Sequence, residues 1–225
     1  MIRIDNLKKS YNKKDILKDI TVQFETGKVY GIVGENGAGK TTLFKCIASL
    51  EKFEGSISSQ PSPLKDHLGY LPTEPYFFPR ITGKEYIQLL LNARGISHKN
   101  LKQKNLFDLP LNQYALEYST GMKKKLALQA ILLQKNNLFI LDEPYNGVDI
   151  QSNIIISEII QKLKEAGKTI LISSHIFSTL KESCDEIYLL QDGQLKNRTK
   201  KADFDTFEKE LHDSIISIKV DDFIS

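Results

Sequence analysis

Residues 34 to 42 read Gly34-Glu35-Asn36-Gly37-Ala38-Gly39-Lys40-Thr41-Thr42, a Gly-x4-Gly-Lys-Thr loop. Backbone N–H groups close around a phosphate only where no Cβ intervenes, and the glycines give that access. Lys40 adds a point positive charge for the β- and γ-phosphates, and the Thr41 hydroxyl is a ligand for Mg²⁺. Two further reactive clusters lie far along the chain: Asp142-Glu143, and Ser173-Ser174-His175. The acidic pair divides the labour. Asp142 suits Mg²⁺ together with Thr41, and Glu143 can accept a proton from a water attacking the γ-phosphate. His175 could hydrogen-bond a γ-phosphate oxygen or that water; alone, such a histidine is more often structural.

These residues need elements that bring them together. Val29-Tyr30-Gly31-Ile32-Val33 is an apolar, strand-like run before the loop, and Leu43 with Ile47 and Phe44 with Ala48 repeat at helical spacing after it. A phosphate on the loop would thus face a helix N-terminus, where free N–H groups and the macrodipole favour an anion. Leu138-Phe139-Ile140-Leu141 and Thr169-Ile170-Leu171-Ile172 are continuous apolar runs, as expected of strands buried on both faces. Between them, Ile155 with Ile159, and Ile156 with Ile160 and Leu163, mark a helical face. The alternation predicts a parallel sheet with crossover helices. Ligands in such sheets bind beyond the carboxyl ends of the strands, so the loop, the acidic pair and the histidine should converge.

The rest of the composition bounds the function. The chain has 225 residues, 40% hydrophobic and 26% charged, enough for one domain with a substantial core. No apolar run approaches the roughly 18 residues of a membrane span. The first residues lack the apolar stretch of a secretory signal, so a cytoplasmic location is expected. A net charge of +3 is too mild to point to nucleic acid or anionic lipid. Cys46 and Cys184 form no CxxC pair, and Cys46 reads as inert core. Within the Lys123-Lys124-Lys125 run, at least two lysines are expected to be solvated. Ile215 to Val220 could form a terminal strand.

Tyr118-Ser119-Thr120-Gly121-Met122 precede a run in which Leu126 with Ala130, and Leu128 with Leu132, share a side. Ser119 is a plausible helix N-cap. The phosphate loop, a Ser-x-Gly signature, Leu141-Asp142-Glu143-Pro144, Asp149 and His175, in that order, resemble an ATP-binding cassette ATPase over residues 1 to about 200. The resemblance implies an α/β fold: a P-loop NTPase core with a mostly parallel sheet and crossover helices, an N-terminal antiparallel β subdomain and an inserted helical subdomain. Residues 1–225 would be a single domain, with the helical subdomain at about 81–118 and 203–225 as a C-terminal extension.

The resemblance also implies roles. Residues 34–42 would hold ATP, and Ser119, Thr120, Gly121 and Met122 would contact the γ-phosphate of ATP bound to a second copy. Lys123 to Lys125 are unfavourable for the helix N-terminus by itself, and a facing triphosphate would offset that cost. Tyr11 stands where the family stacks an aromatic ring on adenine, although it also reads as a strand-end tyrosine. Asp149 matches the family's dimer-contact loop and would also cap the Ile-rich helix. Thr41 and Asp142 would hold Mg²⁺, and Glu143 and His175 would be catalytic. Two positions depart from the pattern. Thr73 stands where the family has Gln, so direct reach to the metal is in question and a bridging water is the favoured arrangement. Ser-Thr-Gly-Met replaces Ser-Gly-Gly-Gln, a form similar to exporter-type subunits whose membrane part is a separate polypeptide. Tyr76, Phe77 and Phe78 either line a groove for a helix of that partner or pack between subdomains.

The expected function is therefore an ATP-hydrolysing transport subunit. It would dimerise with an identical or closely related subunit around two MgATP and drive separate transmembrane permease subunits, with export favoured. It would sit peripherally on the inner face of the cell membrane. The alternative is a soluble cassette ATPase acting on a macromolecular partner outside the membrane. Tandem translation factors carry two cassettes and chromosome-type members carry long coiled coils between their motifs; this chain has neither. A binding-only module is disfavoured because Lys40, Asp142, Glu143 and His175 are all intact.

Overall fold

The chain opens with two long strands, β1 (Ile2–Tyr11) and β2 (Lys14–Phe24), in a computed structural model that describes residues 1–97 and 100–219. They pair antiparallel, with Ile2 opposite Phe24 and Tyr11 opposite Lys14. Asn12 and Lys13 between them have φ of 48° and 66°, the left-handed sign needed at both central positions of a type I′ hairpin. β3 (Val29–Val33) follows, then α1 (Lys40–Ile47), β4 (Glu54–Ser59) and β5 (Leu68–Leu71). β4 pairs with β1, giving the three-stranded antiparallel sheet β2-β1-β4.

Next come α2 (Gly83–Asn92), α3 (Thr120–Leu133), β6 (Leu138–Asp142), α4 (Ile150–Glu165) and β7 (Thr169–Ser174). The chain then runs through α5 (Phe177–Lys181), β8 (Glu186–Gln191), β9 (Gln194–Lys200) and α6 (Phe204–Lys219). A six-stranded sheet has the order β5-β6-β7-β3-β8-β9, parallel except for the antiparallel edge strand β9. This is the parallel sheet with crossover helices that the alternation of apolar runs and helical faces predicts, and the P-loop NTPase architecture that the resemblance implies.

The central strands have no polar face because both sides are covered. Successive side chains of a strand point to opposite faces, and here each face has its own core. Tyr30, Ile32, Ile140, Leu171 and Leu190 pack with the antiparallel sheet and with Leu43, Phe44 and Ile47 of α1. Val29, Val33, Phe139, Leu141, Ile170 and Ile172 pack with Ile87, Leu126, Ala130, Ile156 and Ile160 from α2, α3 and α4. Cys46 is fully buried in the first core, where burial pushes its thiol up to about 11; this is a packing residue.

Between residues 81 and 118 the described residues hold one α-helix, α2, and two single 3-10 turns, Leu101–Lys104 and Ala115–Glu117. A capping box starts α2: the Thr82 hydroxyl accepts the Glu85 N–H, and the Glu85 carboxylate accepts the Thr82 N–H at 2.8 Å. Such a cap contributes about 1 kcal/mol. The aromatic run ahead of it divides. Phe77 is buried with its ring 4.6 Å from that of Tyr86, whereas Tyr76 and Phe78 are exposed and stack edge to face at 5.5 Å.

One expectation fails at the C-terminus. Residues 215–219 continue helix α6 instead of forming a strand, and Val220 lies outside the described residues. The helix is amphipathic from its start: Phe204 and Phe207 stack on Phe177 of α5 at 6.0 and 5.6 Å, while Lys181 pairs with Asp205 and with Glu208 at 2.8 Å. A 3.6-residue period satisfies that contact better than alternation would.

Candidate functional site

Three adjacent strands of the large sheet, β6, β7 and β3, end side by side. β3 runs into the glycine loop, and Gly39, at φ 108°, is the N-cap of α1. Its backbone is left-handed, and a Cβ there would come within 3.0 Å of Leu17, so glycine is required on both counts. The cap residue carries no side chain to bond the first N–H groups of α1, and no acidic residue lies in that first turn. Those donors and the positive end of the helix are thus directed at the loop.

Thr41, on the first turn of α1, donates its hydroxyl to Asp142 Oδ2 at 2.7 Å. Thr73 donates to the same carboxylate oxygen at 2.7 Å, and its hydroxyl lies 3.5 Å from that of Thr41. The shorter side chain therefore reaches the acidic centre directly. Two hydroxyls and a carboxylate form a set of hard oxygens around one point. That donor set suits Mg²⁺, which takes one or two protein oxygens and leaves its remaining positions to water and phosphate. No cluster of three or more His, Cys, Asp or Glu side chains suited to a metal occurs among the described residues, so the fit depends on the hydroxyls.

Glu143 is the next residue, 8% exposed, and its carboxylate lies between two clusters. Oε1 is 3.4 Å from Lys40 Nζ, and Oε2 is 2.9 Å from His175 Nδ1. Lys40 is itself buried and donates to the carbonyls of Gly34 at 2.7 Å and Glu35 at 3.2 Å. The side chains of the loop, the acidic pair and the histidine thus meet at one end of the sheet. A buried carboxylate beside an imidazole and an ammonium can take up a proton and return it.

Ser173 is a positioning group that the sequence reading passed over. It is fully buried, donates to Asp142 Oδ1 at 2.6 Å, and accepts the Glu143 N–H at 3.0 Å. β7 lies between β3 and β6, so its last residues are placed to hold both acidic neighbours. The available signal was a polar residue at the end of an all-apolar strand.

The remaining residues stand apart. Ser119 caps α3 by accepting the Met122 N–H at 3.2 Å. Among the described residues, no hydrogen bond or ion pair joins residues 119–122 or Tyr11 to residues 34–42. Tyr11 ends β1 as an exposed residue, with Lys9 Nζ 4.5 Å from its ring centroid. Burial and a hydrogen bond to Glu51 push its phenol pKa up. Asp149 caps α4, accepting the Ser152 N–H at 2.9 Å, and pairs with Lys125 at 3.0 Å. The Ser152 N–H and the Lys125 ammonium hold its carboxyl well below the usual carboxylate range.

The expectation of solvated lysines is overturned. Lys124 is 2% exposed and donates to the carbonyls of Glu143 and Asn146, and Lys125 bonds Asp149 and Ser152. Charges at the start of α3 are tolerated because acceptors within the same chain receive them. Burial pushes the Lys124 pKa down, and Glu143, Asp142 and Glu74 act against that shift.

Comparison with known proteins adds to this geometry. A family model described as ABC transporter matches residues 17–146. The ABC transporter ATP-binding protein NatA of Bacillus subtilis is 35% identical over 204 residues, covering 82% of each chain. The lantibiotic transport ATP-binding protein SrtF of Streptococcus pyogenes is 32% identical over 209 residues, covering 87% of this chain and 89% of its own. A solved ATP-binding subunit of an ABC transporter superposes with a TM-score of 0.81 at 27% identity, over 89% of this chain and 90% of its own.

Proposed function

The chain belongs to the ABC transporter family as an ATP-binding, ATP-hydrolysing subunit, and from that premise we propose how its residues divide the work. The carrying observation is the pair of contacts at the acidic centre: Asp142 takes both threonine hydroxyls while Glu143 lies between Lys40 and His175. Residues 34–42 bind the phosphates of ATP, and Tyr11 stacks on adenine. Thr41, Asp142 and Thr73 would hold Mg²⁺, which would supply positive charge to offset that of the phosphates. Glu143 accepts the proton of the attacking water, and His175 orients the Glu143 carboxylate by the hydrogen bond seen at 2.9 Å. Ser119, Thr120, Gly121 and Met122 engage ATP held by a second subunit, identical or closely related, and Asp149 lies at that contact. Residues 1–225 act as one domain, with the helical subdomain inside 81–118 and an extension at 203–225.

In this reading the subunit pairs with separate permease subunits and lies against the inner face of the cell membrane through them. Among the described residues, no helix is long and apolar enough to cross a membrane. Export is the direction proposed, supported by the Ser-Thr-Gly-Met form of the signature and by similarity to a lantibiotic transport protein. The exposed Tyr76 and Phe78 face the permease, while Phe77 anchors their loop.

Ser119→Arg tests the proposed assembly. Its cap bond is replaced by a bulky cation, at about 1 kcal/mol of helix stability, which leaves the domain folded. Single-site MgATP affinity by calorimetry is expected to stay near wild type, because Ser119 makes no bond to its own phosphate loop. ATP turnover should drop by at least about tenfold, the equivalent of one lost charge-assisted hydrogen bond. Equal loss of binding and turnover would place the signature in its own chain's site and refute the shared arrangement.

Thr73 yields a second expectation. Thr73→Val preserves shape and removes the oxygen bonded to Asp142. The Mg²⁺ concentration for half-maximal turnover should rise by roughly tenfold, since a hydrogen bond or ligand to a charged group contributes about 1.5 kcal/mol or more. An unchanged Mg²⁺ titration would make Thr73 a bystander.

A further inference from the structure

Glu143 presents its carboxylate from an unusual backbone, with φ 52° at a residue that is not glycine. L-residues disfavour this region because Cβ crowds the following carbonyl, and such a conformation persists where neighbouring contacts over-determine it. Here the contacts are identifiable. Ser173 Oγ accepts the Glu143 N–H at 3.0 Å, and Lys124 Nζ donates to the Glu143 carbonyl at 2.7 Å. Lys124 also donates to the Asn146 carbonyl at 2.9 Å, and the Asn146 N–H returns to the Glu143 carbonyl at 3.2 Å. A buried ammonium therefore closes a four-residue turn, binding the carbonyls at both ends.

Lys124 belongs to α3, the helix capped by Ser119. The first turns of α3 hold the loop after β6 at two further points. Gly121 lies so close that a Cβ there would stand 2.7 Å from the Gly147 carbonyl, and Lys125 binds Asp149. The start of α3 and residues 143–149 are thereby joined by backbone approach, a bidentate ammonium and an ion pair. A displacement of one carries the other.

We infer that Lys124 is a positioning residue for hydrolysis: it locks the left-handed Glu143 peptide and ties that carboxylate to the helix bearing Ser119–Gly121. The inference rests on the assignment of Glu143 as the base. In an assembly where Ser119–Gly121 engage ATP on the opposite subunit, base placement in one site then follows engagement of the other. Lys124 touches neither nucleotide nor water in this role; it acts through the Glu143 backbone.

The test is a double-mutant cycle on the full chain, reading MgATP affinity, ATP turnover and melting temperature. Lys124→Met keeps the length and packing of the side chain and removes its donors. Turnover at saturating ATP should fall by about 10²-fold, the order expected when a catalytic group shifts by about 1 Å. MgATP affinity should stay within about twofold, because the phosphate loop is untouched. In a Glu143→Gln background the same substitution should cost less than about threefold more, since a displaced group that no longer acts has little left to lose. Lys124→Gln, with two N–H donors on a shorter neutral side chain, should show a smaller loss with the same non-additivity, and it carries the cycle if the Met variant fails to fold. Turnover within about threefold of wild type in a folded variant, or losses that multiply with Glu143→Gln, would overturn the role of Lys124 and leave the base assignment standing. Wild-type turnover in Glu143→Gln alone would overturn the base assignment itself, and the role of Lys124 with it.

Discussion

Lys40→Ala is expected to lose MgATP binding by about 10²-fold or more, the loss that follows from removing a charged donor whose hydrogen bonds contribute about 1.5–3 kcal/mol. Lys40 reaches both the loop carbonyls and the Glu143 carboxylate, at 2.7 Å from the Gly34 carbonyl and 3.4 Å from Glu143 Oε1. Its removal has two consequences of different origin. The phosphates lose their point charge, and Glu143 loses a buried counter-ion. The second effect destabilises the fold, because breaking a buried pair leaves an uncompensated charge. Calorimetric titration with ATP, accompanied by a melting curve, separates them: affinity lost by a folded protein belongs to the loop. ADP should lose less than ATP, since it lacks the γ-phosphate that Lys40 also reaches. A folded Lys40→Ala protein with wild-type affinity would reject the phosphate-loop assignment.

Much of this site is legible in the sequence because each of its parts ends a strongly patterned strand. The apolar runs at 29–33, 138–141 and 169–172 are strands buried throughout, as their continuous apolar pattern predicts, and the residues that follow them read as a site. What pattern cannot convey is cross-strand chemistry. Nothing in Ser173-Ser174-His175 says that the first serine bonds both Asp142 and Glu143, because that follows from β7 lying between its neighbours. Thr73 is similar: its own neighbours in the chain do not name its partner, and the backbone after β5 brings its hydroxyl to Asp142.

The lysine run misled for a related reason. A cluster of charges in sequence reads as a solvated face, yet successive helical residues point in different directions, and Lys124 points inward to two backbone carbonyls. Carbonyl acceptors leave no trace in side-chain pattern. Misreading 215–219 as a strand has another origin. Apolar residues are frequent there, and a short apolar run fits either period; the amphipathic contact of Phe204 and Phe207 with Phe177 starts a helix that carries through it.

Glu143→Gln should trap the protein in an ATP-bound dimer. The amide nearly matches the carboxylate in shape, and the backbone bonds of Glu143 to Ser173 and Lys124 do not involve the side chain. Asp142, Thr41, Thr73 and Lys40 remain to bind MgATP. Turnover should fall by roughly 10²–10⁴-fold, the usual range for loss of a general base. Uncleaved ATP then persists between one subunit's phosphate loop and the other's Ser119–Gly121. Any ligand that binds the closed pair better than separate chains shifts the equilibrium toward the pair by mass action. Loss of one negative charge beside each triphosphate acts in the same direction. Size-exclusion chromatography with light scattering, with and without ATP, is the measurement, on Glu143→Gln and on Glu143→Gln/Ser119→Arg. The first should be a dimer only with ATP, and the second a monomer under both conditions. An ATP-dependent dimer that survives Ser119→Arg would reject the shared site, because it would show that the chains associate through some other surface. A monomer in both, with ATP bound and turnover abolished, would keep Glu143 as the base and reject nucleotide-driven pairing of the isolated subunits.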